Sequence, residues 1–369
     1  MEEGLISRLN NWFWNEDVWL PKNMTWEIIR RQEKARYAQF SELYNGLLVA
    51  VVLIFVRYIL ERLVFTPVGI YLGLKATRPK RAPENPVLEK AFKANGRIPF
   101  KQVQGLAKQL DWSGRKVERW LRQRTVQEKP LTLTKFTESS WRFTFYFSAF
   151  LYGLYTLSDK PWLWDTRYCW YGYPHQSVTD DVWWYYMVEL GFYWSLTFSQ
   201  FLDIKRKDFL QMFVHHIITI MLLSFSWACN FWRVGTLVML IHDFADIPLE
   251  VTKMIKYLGK QNMADVSFMI FTLAWIVSRL GLFPYRVIYS TMYEAITILD
   301  FFPVYFIFNS LLLALQLLHV VWTWIIVCIA LQAFQKGVRD LRSDDSSNAN
   351  GSSSNDETSP SKARKNNRS

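Results

Sequence analysis

The stretch FLQMFVHHIITIMLLSFSWA, residues 209–228, is apolar apart from one glutamine, a few hydroxyls and two adjacent imidazoles, His215 and His216. Twenty residues at 1.5 Å rise cross the hydrocarbon core of a bilayer. Ionisable groups at that depth are costly, and they mark a path, a relay or a reaction centre. The next apolar run, GTLVMLIHDFADIPLEVTKM at 235–254, carries a second polar set: His242, Asp243 and Asp246. Along it His242, Asp246, Glu250 and Lys253 recur at helical spacing as one stripe, with Asp243 turned aside. Asp208 precedes His215 by seven residues and Asp246 precedes Lys253 by seven. Both groups therefore lie about 10 Å below the same membrane surface, where they can face one cavity.

The rest of the chain is of the same class. Hydrophobic residues make up 51% and aromatics 17%, while the charges fall in blocks. Apolar runs at 45–65, 139–157, 183–202, 209–228, 235–255, 264–284 and 302–331 predict an all-α polytopic membrane protein with about seven transmembrane helices. The first run is too long for a signal sequence and has no small-residue cleavage site after it. Within it, Arg57 and Glu61 stand four apart and are expected to form an ion pair at the interface. Between Lys75 and Lys135 there are 16 Lys/Arg against 5 Asp/Glu, an excess equal to the whole chain's net charge of +11. By the positive-inside rule that segment is cytosolic, together with Lys205, Arg206 and Lys207, Lys253 to Lys260 and Lys336 to Arg342. Seven spans then place the N-terminus in a lumen and the C-terminus in the cytosol. The sequon at Asn23, followed by Met24 and Thr25, becomes a usable glycosylation acceptor there. Cys169 and Cys229 both fall on the lumenal side, where a disulfide is permitted.

The predicted organisation is a lumenal segment at 1–44, a first span at 45–65, a cytosolic domain at 75–130, a catalytic membrane domain at 131–335 and a disordered Ser/Asn/Asp-rich tail at 336–369. In the cytosolic domain, amphipathic helices are expected over 85–95, 103–110 and 113–129, with Leu106, Leu110, Val117, Trp120 and Leu121 as a small core. The last of these helices, with Trp120, Leu121, Arg122, Gln123, Arg124 and Thr125, resembles a homeodomain recognition helix. It departs from that pattern where an adenine-reading Asn gives way to Gln123 and an Arg to Thr125. DNA binding is therefore not expected. A basic helix beside a membrane more simply meets anionic lipid or the phosphates of coenzyme A.

The ordered stretch from Trp194 to Tyr257, containing both polar spans, resembles the signature of ceramide synthases within the TLC-domain family. WFWNEDVWLP at 12–21, the homeobox-like insert and KPLTLTKFTESSWRFTFY at 129–146 resemble animal members as well. The resemblance implies transfer of a fatty acyl group from acyl-CoA to the amine of a sphingoid base, giving dihydroceramide or ceramide in the endoplasmic reticulum membrane. It also implies that His215, first of the pair, carries the acyl group.

Residue chemistry is compatible with that. Imidazole can attack a thioester to give an acyl-imidazole, or act as general base on the incoming amine. Either scheme needs a carboxylate to orient the ring, and Asp243 or Asp246 is placed for it. The candidate catalytic set is His215, His216, His242, Asp243 and Asp246. Lys205, Arg206 and Lys207 at the mouth of the fourth span are candidates for binding CoA phosphates, besides obeying the charge rule. No cofactor is expected beyond acyl-CoA as co-substrate. Five histidines are too few for a di-iron membrane oxidase, and although His215, His242 and Asp246 could ligate zinc, no metal is expected. Homo- or heterodimer formation is left open. The rival readings are a non-enzymatic TLC-type lipid transporter or sensor, and a histidine pair that only bonds neighbouring helices.

Overall fold

A computed structural model of the protein describes residues 8, 11–22, 24–30, 36–77, 81–94, 98–128, 130–203 and 208–349, with the backbone alone for 29, 30, 128 and 333–349. Asn23 and residues 204–207, which include Lys205, Arg206 and Lys207, lie outside the described residues, as do 350–369. Among the described residues there are helices and no strands.

The long helices are α1 (Leu43–Leu60, continued by Glu61–Phe65 and Thr66–Tyr71), α2 (Pro86–Ala94), α3 (Phe100–Gln109), α4 (Gly114–Glu128), α5 (Thr132–Leu157), α6 (Asp180–Ser199), α7 (Phe209–Ala228), α8 (Trp232–Tyr257), α9 (Gln261–Trp275) and α10 (Val304–Ala349). Three helical stretches, Phe209–Ala228, Gln261–Ile298 and Val304–Gln332, are long and apolar enough to cross a membrane. α8 is the hub and packs against α5, α6, α7 and α9. α6 packs on α1 through two glycines: a Cβ on Gly46 would sit 2.7 Å from Leu190 Cδ2, and one on Gly191 2.6 Å from Val49 Cγ1. Small residues allow this approach of backbones, and any larger side chain must push the helices apart.

The turn between α7 and α8 sets the height of the polar groups. Asn230 adopts φ +60°, Phe231 N–H donates to Ser226 O at 2.7 Å, and Asn230 N–H donates to Trp227 O at 3.1 Å. This left-handed cap closes α7 and returns the chain antiparallel. His215 lies fifteen residues before Asn230 and Asp246 sixteen after it, so the two come to one level.

On α10, Val304, Phe308, Leu312, Leu315 and His319 are buried at helical spacing, and the histidine ends an otherwise apolar stripe. Arg57 pairs with Glu61 at 2.8 Å as expected. It also reaches Asp203 through two bonds of 2.8 and 3.1 Å, and Arg142 of α5 approaches Asp203 at 3.3 Å. The pair is thus part of a network that ties α1 and α5 to the end of α6.

Two expectations are corrected. The segment after 284, read as a connection, stays helical to Ile298 through wide π-type turns over Ile276–Ile288 and Ser290–Glu294. The wider ladder passes Pro284, which lacks the N–H of a regular turn. The tail expected to be disordered from 336 is helical to Ala349. A helix nucleated in an apolar span extends through good formers such as Lys336, Arg339 and Leu341 at little cost. Cys169 and Cys229 are buried free thiols with no bridge.

α2, α3 and α4 build their own core from Leu88, Phe92, Val103, Leu106, Ala107, Val117 and Trp120, with Leu110 and Leu121 packed against it. Pro86 opens α2, and Asn85 Oδ1 accepts the Leu88 N–H at 3.0 Å. Arg124 grips Glu89 with two bonds of 2.8 Å and lies over the Phe92 ring. The Arg of the homeodomain-like helix is therefore committed inside the unit. The guanidinium holds the Glu89 carboxyl below the usual carboxylate range.

Candidate functional site in the membrane helices

The polar residues of α6, α7, α8, α10 and the π-type stretch after α9 meet inside the bundle. His215 and His216 lie with ring centres 5.7 Å apart, and Tyr193 of α6 stands edge-on to both at 6.2 and 6.3 Å. His216 is buried, while the His215 residue is only partly so although its Nδ1 atom is enclosed.

Gln200 fixes the His216 tautomer. Its Nε2 donates to the Phe209 carbonyl at 2.6 Å, so its Oε1 is the atom facing His216 Nδ1 at 3.1 Å. Oε1 only accepts, so His216 Nδ1 carries the hydrogen and Nε2 keeps its lone pair. The ring is held as a base.

His242 is bound differently. Its Nδ1 donates to Val238 O at 2.7 Å, which leaves Nε2 to accept from His319 Nε2 of α10 at 3.2 Å. Both nitrogens are occupied, and the ring packs between Phe283 and His319. Of the predicted set, His242 is thus turned toward α10 and not into the space beside His215.

Asp246 meets Arg279, which the sequence reading had passed over. Arg279 Nη2 donates to Asp246 Oδ2 at 3.0 Å and to the His242 carbonyl at 3.0 Å, with the guanidinium 5.2 Å from the Trp275 ring centre. The arginine side chain is 3% exposed, yet its Nε and Nη1 are buried with no acceptor. Two buried donor nitrogens, with three N–H groups that no described residue accepts, constitute a preformed site for a negative oxygen.

Asp243 turns to α6, where it lies beside Glu189; both residues are fully buried, and none of their four carboxyl oxygens has a hydrogen-bond partner among the described residues. Glu250 accepts from Lys253 Nζ at 2.6 Å. The expected stripe of 242, 246, 250 and 253 exists, but its members reach different partners.

Among the described residues no three His, Cys, Asp or Glu side chains are grouped to hold a metal ion. Arg279, Glu189 and His319 were missed although the rule that marked His215 marks them equally: each is a polar group within an apolar run.

Comparison with known proteins places the chain in a family. The TLC domain family matches residues 135–328. Ceramide synthase 5 of Homo sapiens is 44% identical over 346 residues, covering 93% of this chain and 88% of its own length. Ceramide synthase 3 of Mus musculus is 42% identical over 92% of this chain and 89% of its own. Ceramide synthase hyl-1 of Caenorhabditis elegans is 34% identical over 90% and 84%. A match over about nine-tenths of the chain takes in both the three-helix unit and the helices that follow it, and the chain belongs to the ceramide synthase family of TLC-domain proteins.

Proposed function

We propose that this chain N-acylates a sphingoid long-chain base in two displacements within the membrane helices. The enzyme is an acyltransferase: fatty acyl-CoA supplies the acyl group and the product is dihydroceramide or ceramide. The observation that carries the route is the grouping of His215, His216 and the half-satisfied Arg279 at one level of the bundle. An imidazole nitrogen of His215 attacks the thioester carbonyl, the C–S bond breaks, and CoA leaves as a thiol with the proton that the acylated ring gives up. The neutral amine then attacks the acyl-imidazole, the N–acyl bond to the ring breaks and the amide forms. His216 Nε2 takes the proton from the amine and passes it to the departing His215 ring, which returns neutral. Arg279 Nε and Nη1 hold the oxygen that becomes negative in each tetrahedral state, while Asp246 fixes the guanidinium. Asp243 with Glu189 keeps a proton beside the site, and His242 braces α8 against α10. Acyl-CoA is a co-substrate, and no bound cofactor is invoked.

In the same reading the seven hydrophobic runs all span the endoplasmic reticulum membrane, with the N-terminus lumenal and the C-terminus cytosolic. Asn23 carries a glycan, residues 75–130 form the homeobox-like cytosolic domain, and Lys205, Arg206 and Lys207 attract the phosphates of CoA.

The test is to incubate purified protein with acyl-CoA and sphinganine and follow dihydroceramide by mass spectrometry. His215→Ala is expected to abolish product, and wild type given acyl-CoA alone to acquire an acyl mass on the His215 peptide that sphinganine discharges. Amide formation by a folded His215→Ala protein would refute the route. Lipid movement without any amide would favour the transporter reading.

A further inference from the structure

At the cytosolic end of α5 and α8, beneath the three-helix unit, lies a cleft of about 950 Å³. Four cationic side chains line it, Lys75, Arg81, Arg124 and Lys135, against two acids. Arg124 is bound to Glu89, but Lys75, Arg81 and Lys135 make no ion pair among the described residues. Lys135 stands in the first turn of α5, which has no acidic residue and no side-chain cap. A cation beside the positive end of a helix is unfavourable unless an anion lies between them. Gln127 on the cleft wall has a buried Nε2 that donates to nothing among the described residues. Unpaired cations, an orphan donor and an uncapped helix start all require the same thing, an oxygen-rich anion.

We infer that this cleft binds the phosphorylated adenosine end of acyl-CoA. The inference rests on the acyl-CoA reading above and locates the far end of that substrate. Length favours it. Tyr257 on the cleft wall lies eleven residues along α8 from Asp246, about 16 Å. An extended pantetheine and diphosphate cover about 15–20 Å at ordinary bond lengths. A nucleotide in the cleft thus brings its thioester to the level of Asp246 and His215. The volume is also that of a site for a ligand of nucleotide size. The three-helix unit is then a wall of the substrate site, held over the bundle by its own core.

The test uses the full-length protein in nanodiscs, with adenosine 3′,5′-bisphosphate as probe. In wild type the probe competes with acyl-CoA. Arg81→Gln and Lys135→Gln each raise the KM for acyl-CoA and the Kd for the probe by the same factor, about tenfold per lost charge-assisted contact, with kcat little changed. Lys135→Arg retains affinity. Melting temperatures equal to wild type keep folding out of the comparison. Unchanged affinity in both Gln variants overturns the inference, as does a fall in kcat at constant KM. A defect that appears only in nanodiscs containing anionic lipid also overturns it and assigns the cleft to a lipid headgroup. Probe binding that depends on Arg81, in a protein that makes no amide, would instead defeat the acyl-transfer reading and leave the cleft as a nucleotide site.

Discussion

Replacing Arg279 by Met separates its structural part from its chemical one. Arg279 Nη2 makes two bonds, to the Asp246 carboxylate and the His242 carbonyl. Bonds of a charged donor contribute about 1.5–3 kcal/mol each, so about 3–6 kcal/mol is at stake. Breaking a buried ion pair by removing one partner costs about 3–5 kcal/mol by an independent route, because the other charge is stranded. Against a total stability of about 5–15 kcal/mol the loss is severe, and Arg279→Met is expected to melt many degrees lower. Adding Asp246→Leu removes the stranded carboxylate and restores much of that loss. Activity does not return with it. If Nε and Nη1 hold the tetrahedral oxygen, the double variant remains slower than wild type by about 10²–10³-fold. Arg279→Lys keeps the charge, but its compact ammonium cannot present the forked donors, and it stays impaired as well. The measurements are thermal unfolding in detergent and the rate of dihydroceramide formation on the same preparations. A double variant that regains activity together with stability would refute the oxyanion role and leave Arg279 a brace.

Gln200→Leu releases the His216 ring from its tautomer, and amide formation is expected to fall about tenfold or more with acyl loading of His215 less affected; single-turnover assays distinguish the two steps. Gly191→Leu must displace Val49, 2.6 Å from the added Cβ, and is expected to cost about 1–3 kcal/mol by thermal unfolding, with Gly191→Ala milder. Glu89 has its carboxyl lowered by Arg124, so its contribution to the three-helix unit is present above the ordinary carboxylate range and lost as pH falls through the lowered value. Hydrogen exchange in α2 and α4 should accelerate on acidification in wild type and show no such step in Glu89→Gln. Exchanging residues 290–299 for the segment of a relative that uses longer acyl chains should lengthen the product, because Ala295, Ile296 and Leu299 wall a small apolar cavity with Phe302 and Phe308, and each added CH₂ contributes about 0.8 kcal/mol where apolar space remains. An unchanged product profile in an active enzyme would place the limit on acyl length elsewhere.

The helices were legible where period and composition agreed. The three amphipathic segments of the three-helix unit begin and end within a few residues of expectation because Asn85, Pro86 and Ser113 are strong start signals. α5 begins at Thr132 and not near 139, since its first turns are polar and hydropathy does not register helix outside the apolar run. The helical stretch after Trp275 exceeded expectation for the opposite reason. Pro284 reads as a stop in a regular helix, yet wide turns carry the backbone past it to Ile298. Hydropathy therefore located the membrane-facing portions and not the ends.

The site was legible to the extent that depth determines it. His215, His216 and Asp246 could be placed at one level by counting residues from the helix ends, and Asn230 at the turn makes that count exact in space. Spacing also placed His242, Asp246 and Glu250 on one face of α8, but a face on the hub of a bundle is divided among neighbours. At each turn it meets a different element: α10 at His242, the stretch after α9 at Asp246, and Lys253 of its own helix at Glu250. Periodicity gives the direction of a side chain and says nothing of what lies there. The partners come from helices far away in sequence, and they could be found only by asking of every polar group in an apolar run which opposite group lies at the same depth. Asp246 finds Arg279 by that rule, His242 finds His319, and Asp243 finds Glu189. Among the described residues Asp243 and Glu189 keep carboxyl oxygens without a partner, and of the six groups only the guanidinium keeps unused donors. Donors, not acceptors, can hold an oxygen that turns negative, and this sets Arg279 apart as a group available for chemistry.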